Sequence, residues 1–312
     1  MTNNDFPSSG FTEDIGNEVG KNTPLDRQFH DIREIYVSRN GHTRLSYATR
    51  YGKRYALKCL KPEYLYTPAY MQLLNKEFDI GLRLDHPYIC RTIGMEEIDG
   101  YGPTIIMEYI DGCTLRQLID DHQLTRSLAW KTVNRLLDAL SYLHGKEIFH
   151  RDLKPQNIML THRSHDMRLI DFSLSDSEAF SILKAPAGTI GYIAPEQLKG
   201  GTTANTSADI FSLGKVMQDM AGATGDQRLM RIGRLCANPD PSRRPATIDG
   251  VKQAISNSKL RPWLSALMIG CALLALIVAA GLQRRGFHHP TPSPAQQTIY
   301  SDSNDVIDMR HI

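Results

Sequence analysis

From Trp263 to Leu282 the chain reads WLSALMIGCALLALIVAAGL, 20 residues without a single charge. At 1.5 Å per residue a helix of about that length crosses the ~30 Å hydrocarbon core of a bilayer. A core helix of five turns would show a polar face, and this stretch has none. Trp263 stands at one edge with Lys259 and Arg261 outside it, and Arg284 and Arg285 lie beyond the other, the flanking expected of a membrane span. The reading is a transmembrane helix over 263–282, preceded by a juxtamembrane linker over 257–262. Everything else the chain does must fit into the 262 residues before the span or the 30 after it.

The long flank has the composition of a folded domain. Hydrophobic residues make up 41% of the 312-residue chain, and Lys+Arg 36 against Asp+Glu 34 leaves a net charge of +2. That balance excludes a general electrostatic attraction to nucleic acid, so any affinity for phosphate must come from a local site. The five cysteines (Cys59, Cys90, Cys113, Cys236, Cys271) show no C-x-x-C and no paired spacing, which argues against a disulfide framework or a structural zinc site. Residues 1–28 are polar, with no basic region followed by an apolar one. They read as a disordered tail rather than a secretory signal. The tail over 283–312, which includes HHPTPSPAQQ, reads as short and disordered.

Between the tails the pattern changes once. IREIYVS, TRLSYAT and RYALKCL alternate apolar and polar residues and are broken at Asn40-Gly41 and Gly52, as in an antiparallel sheet. Residues 66–84 then read as helix, and in VNRLLDALSYLH the residues Val133, Leu136, Leu137, Leu140 and Leu143 form one apolar face. Ile210, Leu213, Val216, Met217 and Met220 repeat that signature. Strands first and helices second predict a two-lobed α+β unit over 29–256.

The stretch HRDLKPQN, His150–Asn157, concentrates the chemistry. Asp152 can accept a hydroxyl proton, Lys154 is a cation two residues away, and Asn157 offers an amide oxygen to a hard metal. In this order the residues match the protein-kinase catalytic loop H-R-D-L-x-x-x-N, and here the chain resembles the eukaryotic-type protein kinases. Further matches follow in the family's order. Asp171-Phe172-Ser173 stands where the family has D-F-G, Gly188-Thr189 and Ala194-Pro195-Glu196 end an activation segment, and Asp209-Ile210-Phe211-Ser212-Leu213-Gly214 opens a buried helix. Arg244 matches the arginine that pairs with the A-P-E glutamate, here Glu196. Tyr55-Ala56-Leu57-Lys58 resembles the V-A-I-K strand, and Glu77 takes the helix-C glutamate position.

The resemblance implies a bilobal kinase fold, with a small antiparallel sheet lobe and a larger helical lobe. It implies ATP and Mg²⁺ (or Mn²⁺) as cofactors. Lys58 would hold the α/β-phosphates with Glu77 keeping it in place, Asn157 and Asp171 would bind the metal, and Asp152 would orient and deprotonate the acceptor hydroxyl beside Lys154. Glu108 and Ile110 of the hinge would offer backbone groups to adenine, with Met107 behind it and Leu45 and Gly41 above. Lys154 and Thr189 match the serine/threonine branch. Arg151 next to Asp152 is the usual companion of activation by a phosphate on the loop, for which Ser175, Ser177 and Ser181 are candidates; Ala185 stands where the commonest such site would be.

Four departures from the family pattern stand out. Aligning Leu45 with the family valine puts Ser38, Asn40 and Thr43 where G-x-G-x-x-G has glycines, leaving only Gly41, out of register. Glycines let backbone N–H groups approach phosphates, so their loss predicts a weaker grip on ATP. Ser173 replaces the glycine of D-F-G, and Gly81 stands where the family has an apolar residue against Phe172, which predicts a looser helix C. The 35-residue interval from Asp209 to Arg244 is short, and the helix that docks protein substrates should shrink to little more than AGATGDQ.

The leading expectation is a single-pass serine/threonine protein kinase of the plasma (inner) membrane, similar to bacterial membrane-anchored kinases. Its kinase domain would be cytoplasmic, where ATP is, and its tail on the opposite side. Its partners would be a protein with a Ser/Thr acceptor and the lipid bilayer, with no nucleic acid, and self-association and autophosphorylation open to it. The alternative is a membrane-anchored pseudokinase acting as a nucleotide-binding scaffold. A kinase for a small hydroxylated molecule is a third reading.

Overall fold

A computed structural model describes residues 28–37, 41–172, 191–198 and 205–285, with the side chains of 259–269 and 280–285 excepted. The remainder of the 1–28 tail, Ser38, Asn40, Ser173 to Thr189 and the tail beyond Arg285 lie outside the described residues.

Strands β1 (His30–Val37), β2 (Thr43–Arg50), β3 (Lys53–Leu60), β4 (Thr92–Ile98) and β5 (Gly102–Glu108) form one antiparallel sheet in the order β1-β2-β3-β5-β4. Alternation sorts its side chains. Leu57 and Ile106 pack with Ala48 on one face, while Leu60 and Ile105 pack with Leu74 of helix α1 (Pro68–Leu82) on the other. Lys58 shares the parity of Leu60, so the helix-bearing face of the sheet receives a charge that needs a partner.

Helix α1 does not sit loosely. A Cβ at Gly81 would lie 2.2 Å from Thr92 Oγ1, so the missing side chain is what lets α1 close onto β4. The looser helix C expected from Gly81 is therefore corrected by the packing.

After the hinge, the chain forms β6 (Gly112–Thr114), α2 (Leu115–Asp120), α3 (Arg126–Gly145), β7 (Ile158–Thr161), β8 (Met167–Leu169), α4 (Pro195–Leu198), α5 (Thr206–Thr224), α6 (Gln227–Cys236) and α7 (Ile248–Arg285). Side-chain caps define where helices start: Thr125 accepts from Leu128 N–H, Asn205 from Ala208 N–H, and Asp226 from Leu229 N–H. The core joins the apolar faces of α3 and α5, with Leu136, Leu137, Leu140 and Leu143 against Ile210, Leu213, Val216 and Met217.

Only Gly225 and Asp226 separate α5 from α6. The two helices touch backbone to backbone, since a Cβ on Gly214 would lie 2.7 Å from Gly233 O. AGATGDQ is thus the last turn of α5, the corner and the first residue of α6, with no helix inserted between them.

The chain divides into two units, Met1–Ser258 and Lys259–Ile312. Residues 257–262, read as a linker, lie within the helical span Ile248–Arg285. Among the described residues no helix is long and apolar enough to cross a membrane. Of the Trp263–Leu282 run, side chains are described for 270–279, and there Leu273, Leu274, Leu276, Ile277 and Val278 are all exposed.

Candidate active site

The β7–β8 hairpin assembles the acidic end of the site. Ile158 pairs with Leu169, and Ile170 N–H donates to Asn157 O at 2.9 Å. Asn157, just before β7, and Asp171, two residues past β8, are therefore brought side by side by one ladder. Lys58 reaches this point from β3: its Nζ donates to Glu77 Oε1 of α1 at 2.6 Å and to Asp171 Oδ1 at 2.7 Å. Lys58 and Glu77 are each only 7% exposed. Burial alone would lower the Lys58 pKa, but the carboxylates of Asp171 and Glu77 outweigh it and hold the ammonium charged well above its usual range. Burial raises the Glu77 pKa against the pull of Lys58.

Asp152 is buried beside Asn157. Lys154 Nζ donates to its Oδ2 at 2.5 Å, and Asn157 Nδ2 donates to its main-chain O at 2.8 Å and to Oδ2 at 3.1 Å. Asn157 thus spends its amide nitrogen on Asp152, which leaves the amide oxygen as its metal-binding atom.

Arg151 and Asp171 adopt φ of +64° and +69°. Non-glycine residues in this region cost on the order of 1–3 kcal/mol each and persist only where neighbours over-determine them. At Arg151 the neighbour is Asp209, fully buried at the start of α5. Its Oδ1 accepts from Arg151 N–H and its Oδ2 from His150 N–H, both at 2.9 Å, and His144 Nε2 meets Oδ2 at 2.8 Å. Burial would raise the Asp209 pKa, yet His144, the charge of His150 and the Arg151 N–H together hold it below the usual carboxylate range. His150 closes the knot from within, with Nε2 3.3 Å from Ile170 O and its ring 5.3 Å from Phe172.

The other site residues fall around this centre. Leu45 is paired with Lys58 across β2–β3, and Met107 with Ala56 across β3–β5. Glu108 ends β5; its N–H donates to Arg91 O, while its carboxylate accepts from Arg91 N–H at 3.1 Å and lies 3.4 Å from Arg168 Nε. Ile110 follows in the hinge, and Gly41 lies in the bend before β2. Away from the cleft, Arg244 grips Glu196 through two bonds of 2.6 and 2.8 Å and also donates to Ser207 O and Asn238 O. Burial opposes ionisation of Glu196, but the bonds from Arg244 prevail and lower its pKa. Thr189 and Ser173 lie outside the described residues.

His144 was not among the residues singled out from the sequence. Its signal was its place four residues after Leu140, on the buried face of α3. Thr92 and His42 also escaped notice, because neither belongs to a motif.

The donors suit a hard divalent ion. One carboxylate and one amide oxygen are too few for an all-protein cage, and no group of three or more His, Cys, Asp or Glu is clustered for a metal among the described residues. Mg²⁺ held by one or two protein oxygens takes its remaining ligands from water and substrate phosphates. The cleft brings the carboxylates of Glu77, Asp152 and Asp171 together with the ammonium groups of Lys58 and Lys154.

Residues 30–227, well over half of the chain, match the family model for the protein kinase domain. Among similar proteins, a probable serine/threonine-protein kinase of Streptomyces coelicolor is 33% identical over 183 residues, which is 55% of this chain and 27% of that protein. The serine/threonine-protein kinase PknB of Mycobacterium leprae is 28% identical over 200 residues, 62% of this chain and 30% of that protein. This chain therefore spans less than a third of the length of these two relatives. The crystal structure of the Mycobacterium tuberculosis PknI kinase domain superimposes with a TM-score of 0.57 at 22% identity, over 75% of this chain and 98% of that one, a likeness of fold.

Proposed function

This chain belongs to the protein kinase family, and from the geometry of its cleft we propose that it transfers the γ-phosphoryl group of ATP to serine or threonine hydroxyls of proteins. The observation that carries the reading is the closed set Glu77–Lys58–Asp171, at 2.6 and 2.7 Å. A buried lysine held charged between two carboxylates, one on a helix and one beside the metal-binding amide, serves a polyanionic substrate better than it serves stability.

Lys58 binds and orients the α/β-phosphates, with Glu77 fixing its Nζ from α1. Asn157 and Asp171 would hold Mg²⁺ (or Mn²⁺), which when bound neutralises charge on the phosphates. Asp152 accepts the proton of the acceptor hydroxyl at its carboxylate, and Lys154, already at 2.5 Å, balances the charge that builds between them. Met107 closes the rear of the adenine site, Leu45 covers it, and Glu108 and Ile110 supply its backbone partners. Arg151 and Thr189 would answer to the state of the activation segment. Against the pseudokinase alternative, α1 packs closely on Thr92 at Gly81 and Glu77 stays on Lys58 at 2.6 Å.

The finer reading is that the kinase is tethered to a membrane by Trp263–Leu282, with residues 1–262 facing the cytosol. An uncharged run of 20 residues supports it, as do the exposed apolar side chains from Leu273 to Val278 within a helical backbone. Partition of the chain with membranes after alkaline extraction, lost when Leu273, Leu274, Leu276 and Ile277 are changed to Gln, tests the tether.

The test of activity is incubation of the full-length chain in detergent with Mg²⁺ and γ-labelled ATP, followed by phosphoamino-acid analysis. Label on serine or threonine, absent from Asp152→Ala and Lys58→Ala, supports the proposal. Nucleotide binding without transfer to the chain or to generic protein acceptors contradicts it.

A further inference from the structure

Helix α6 reads QRLMRIGRLC, with arginines at 228, 231 and 234 and no acidic residue. Leu229, Ile232 and Cys236 are buried in the core, and Arg231, Arg234 and Leu235 are exposed. Steps of three and four residues put those three on one face. Among the described residues neither Arg231 nor Arg234 has a hydrogen-bond or ion-pair partner. Two more guanidinium groups at the start of α6 are bound by neutral acceptors, which leave their charge in place. Arg126 donates to Thr224 O and Gly225 O at the corner before the helix. Arg228, stacked on Trp130, donates to Ser258 Oγ at 2.6 Å and to Ile255 O at 2.8 Å. Asp226, which caps α6, spends its carboxylate on Leu229 N–H and Trp130 Nε1.

The contacts of Arg228 also limit where this face can go. Ser258 belongs to α7, and five residues later, at Trp263, the uncharged run begins; that length of chain reaches at most about 18 Å. Arg234 lies about 9 Å along α6 from Arg228. We propose that the exposed face of α6 is a membrane-binding surface of the kinase domain, on which Arg231 and Arg234 engage the headgroups of anionic phospholipids. The proposal rests on the tether reading above for its proximity to the leaflet. An acidic protein segment would answer the same charges, but a lipid surface is the polyanion that the chain itself brings within reach. The apolar face of α6 is already used in the core, so the contact is made by charge. It should depend on anionic lipid and fade with salt.

The test uses the full-length chain with Leu273, Leu274, Leu276 and Ile277 changed to Gln, so that insertion of the tether does not mask a surface contact. Flotation at low salt should recover this chain with vesicles of phosphatidylglycerol and phosphatidylcholine, and not with phosphatidylcholine alone. Each arginine near an anionic surface is worth about fivefold in binding, so Arg231→Gln with Arg234→Gln should weaken association about 25-fold. Arg231→Lys with Arg234→Lys, which keeps the charge, should stay within about twofold. Lys259, Arg261, Arg284 and Arg285 remain in every variant, so the difference belongs to α6. Melting temperature and kcat in detergent should match those of the unsubstituted chain. Equal recovery on both kinds of vesicle, association unmoved by the Gln pair, or a loss that comes only with a lowered melting temperature would each overturn the surface. Polyglutamate held by the same arginines, with anionic vesicles left unbound, would overturn the lipid and assign the face to an acidic protein. Release of the chain with its native apolar run by alkaline extraction, with the vesicle results intact, would sink the tether and leave the surface standing. Retention after extraction without any vesicle binding would sink the surface alone.

Discussion

The two rims of the cleft are built on opposite principles. The helical rim, His150–Asn157, is held from several directions at once: Asp209 takes two of its N–H groups, His150 reaches Ile170 O, and Asn157 donates twice to Asp152. The sheet rim is held instead by the main-chain ladder of β2 with β3, and among its described residues His42 packs on Tyr70 of α1 while its carbonyl accepts the Lys61 N–H. A proton acceptor and a metal ligand must be particular side chains at fixed positions, so the first rim is over-determined. A cover over phosphates needs only proximity, which different residues can supply. Catalytic side chains are thus constrained in type, and covering loops only in place.

The sharpest way to break the contrast is at Asp152. Asp152→Asn should reduce kcat by about 10²–10⁴-fold, the range for a positioned proton acceptor, while leaving ATP affinity and melting temperature near those of the unsubstituted chain. Steady-state kinetics with thermal unfolding separates the two. A comparable loss of ATP affinity would mean that Asp152 serves binding rather than transfer.

Removing the anchor under that rim comes next. Asp209→Ala strands the N–H groups of His150 and Arg151, each worth roughly 1–3 kcal/mol when buried unpaired, which at about 2–4 °C per kcal/mol should lower the melting temperature by about 4–24 °C. The same anchor sets an acid limit. Asp209 and Glu196 ionise below the usual carboxylate range in the fold. The stability they contribute is therefore complete above about pH 4 and is lost as pH falls through their lowered values. Urea unfolding between pH 6 and pH 3 should show this decline, and Asp209→Asn should flatten it. An acid limb identical in that variant would place the titrating group elsewhere.

On the sheet side, Gly81→Ala should cost about 1–3 kcal/mol by forcing a methyl against Thr92 Oγ1. It should also raise the KM for ATP as Glu77 is levered from Lys58. Thr92→Ala introduced with it should recover much of both, whereas no recovery would show that helix geometry rather than this contact is at fault. The smallest effect belongs to Arg50–Glu96, a 2.8 Å pair whose glutamate is 46% exposed. Glu96→Gln should change stability by less than about 1 kcal/mol and fade further in salt.

The same contrast explains what could be read from the sequence. Lys58, Glu77, Asp152, Asn157 and Asp171 come from four separate stretches of the chain and meet within one cleft, and each was visible because it stands in a motif that resembles the protein kinases. The strands, α3 and α5 were visible because their apolar periodicity survives without knowledge of partners. Gly81 misled for the opposite reason. Its meaning depends on Thr92, eleven residues away on a strand, and a glycine reads as looseness until the neighbour that needs the space is seen. His42 drew no notice in the sequence because its partner, Tyr70, belongs to no motif. Asp209 was expected to open a buried helix; that its two oxygens hold the catalytic loop depended on a 58-residue separation no spacing rule encodes.

Phosphoryl transfer as proposed needs Lys58, Asn157 and Asp171 to converge on one metal–nucleotide complex while Asp152 faces the terminal phosphate. A crystal structure of the chain with Mg²⁺ and a non-hydrolysable ATP analogue tests it most directly. In that crystal the ion should be bound by Asp171 and the Asn157 amide oxygen, with Lys58 on the α/β-phosphates and the Asp152 carboxylate open toward the γ-phosphate. Nucleotide bound elsewhere, or bound here with Asn157 and Asp171 turned away from any ion, would contradict it.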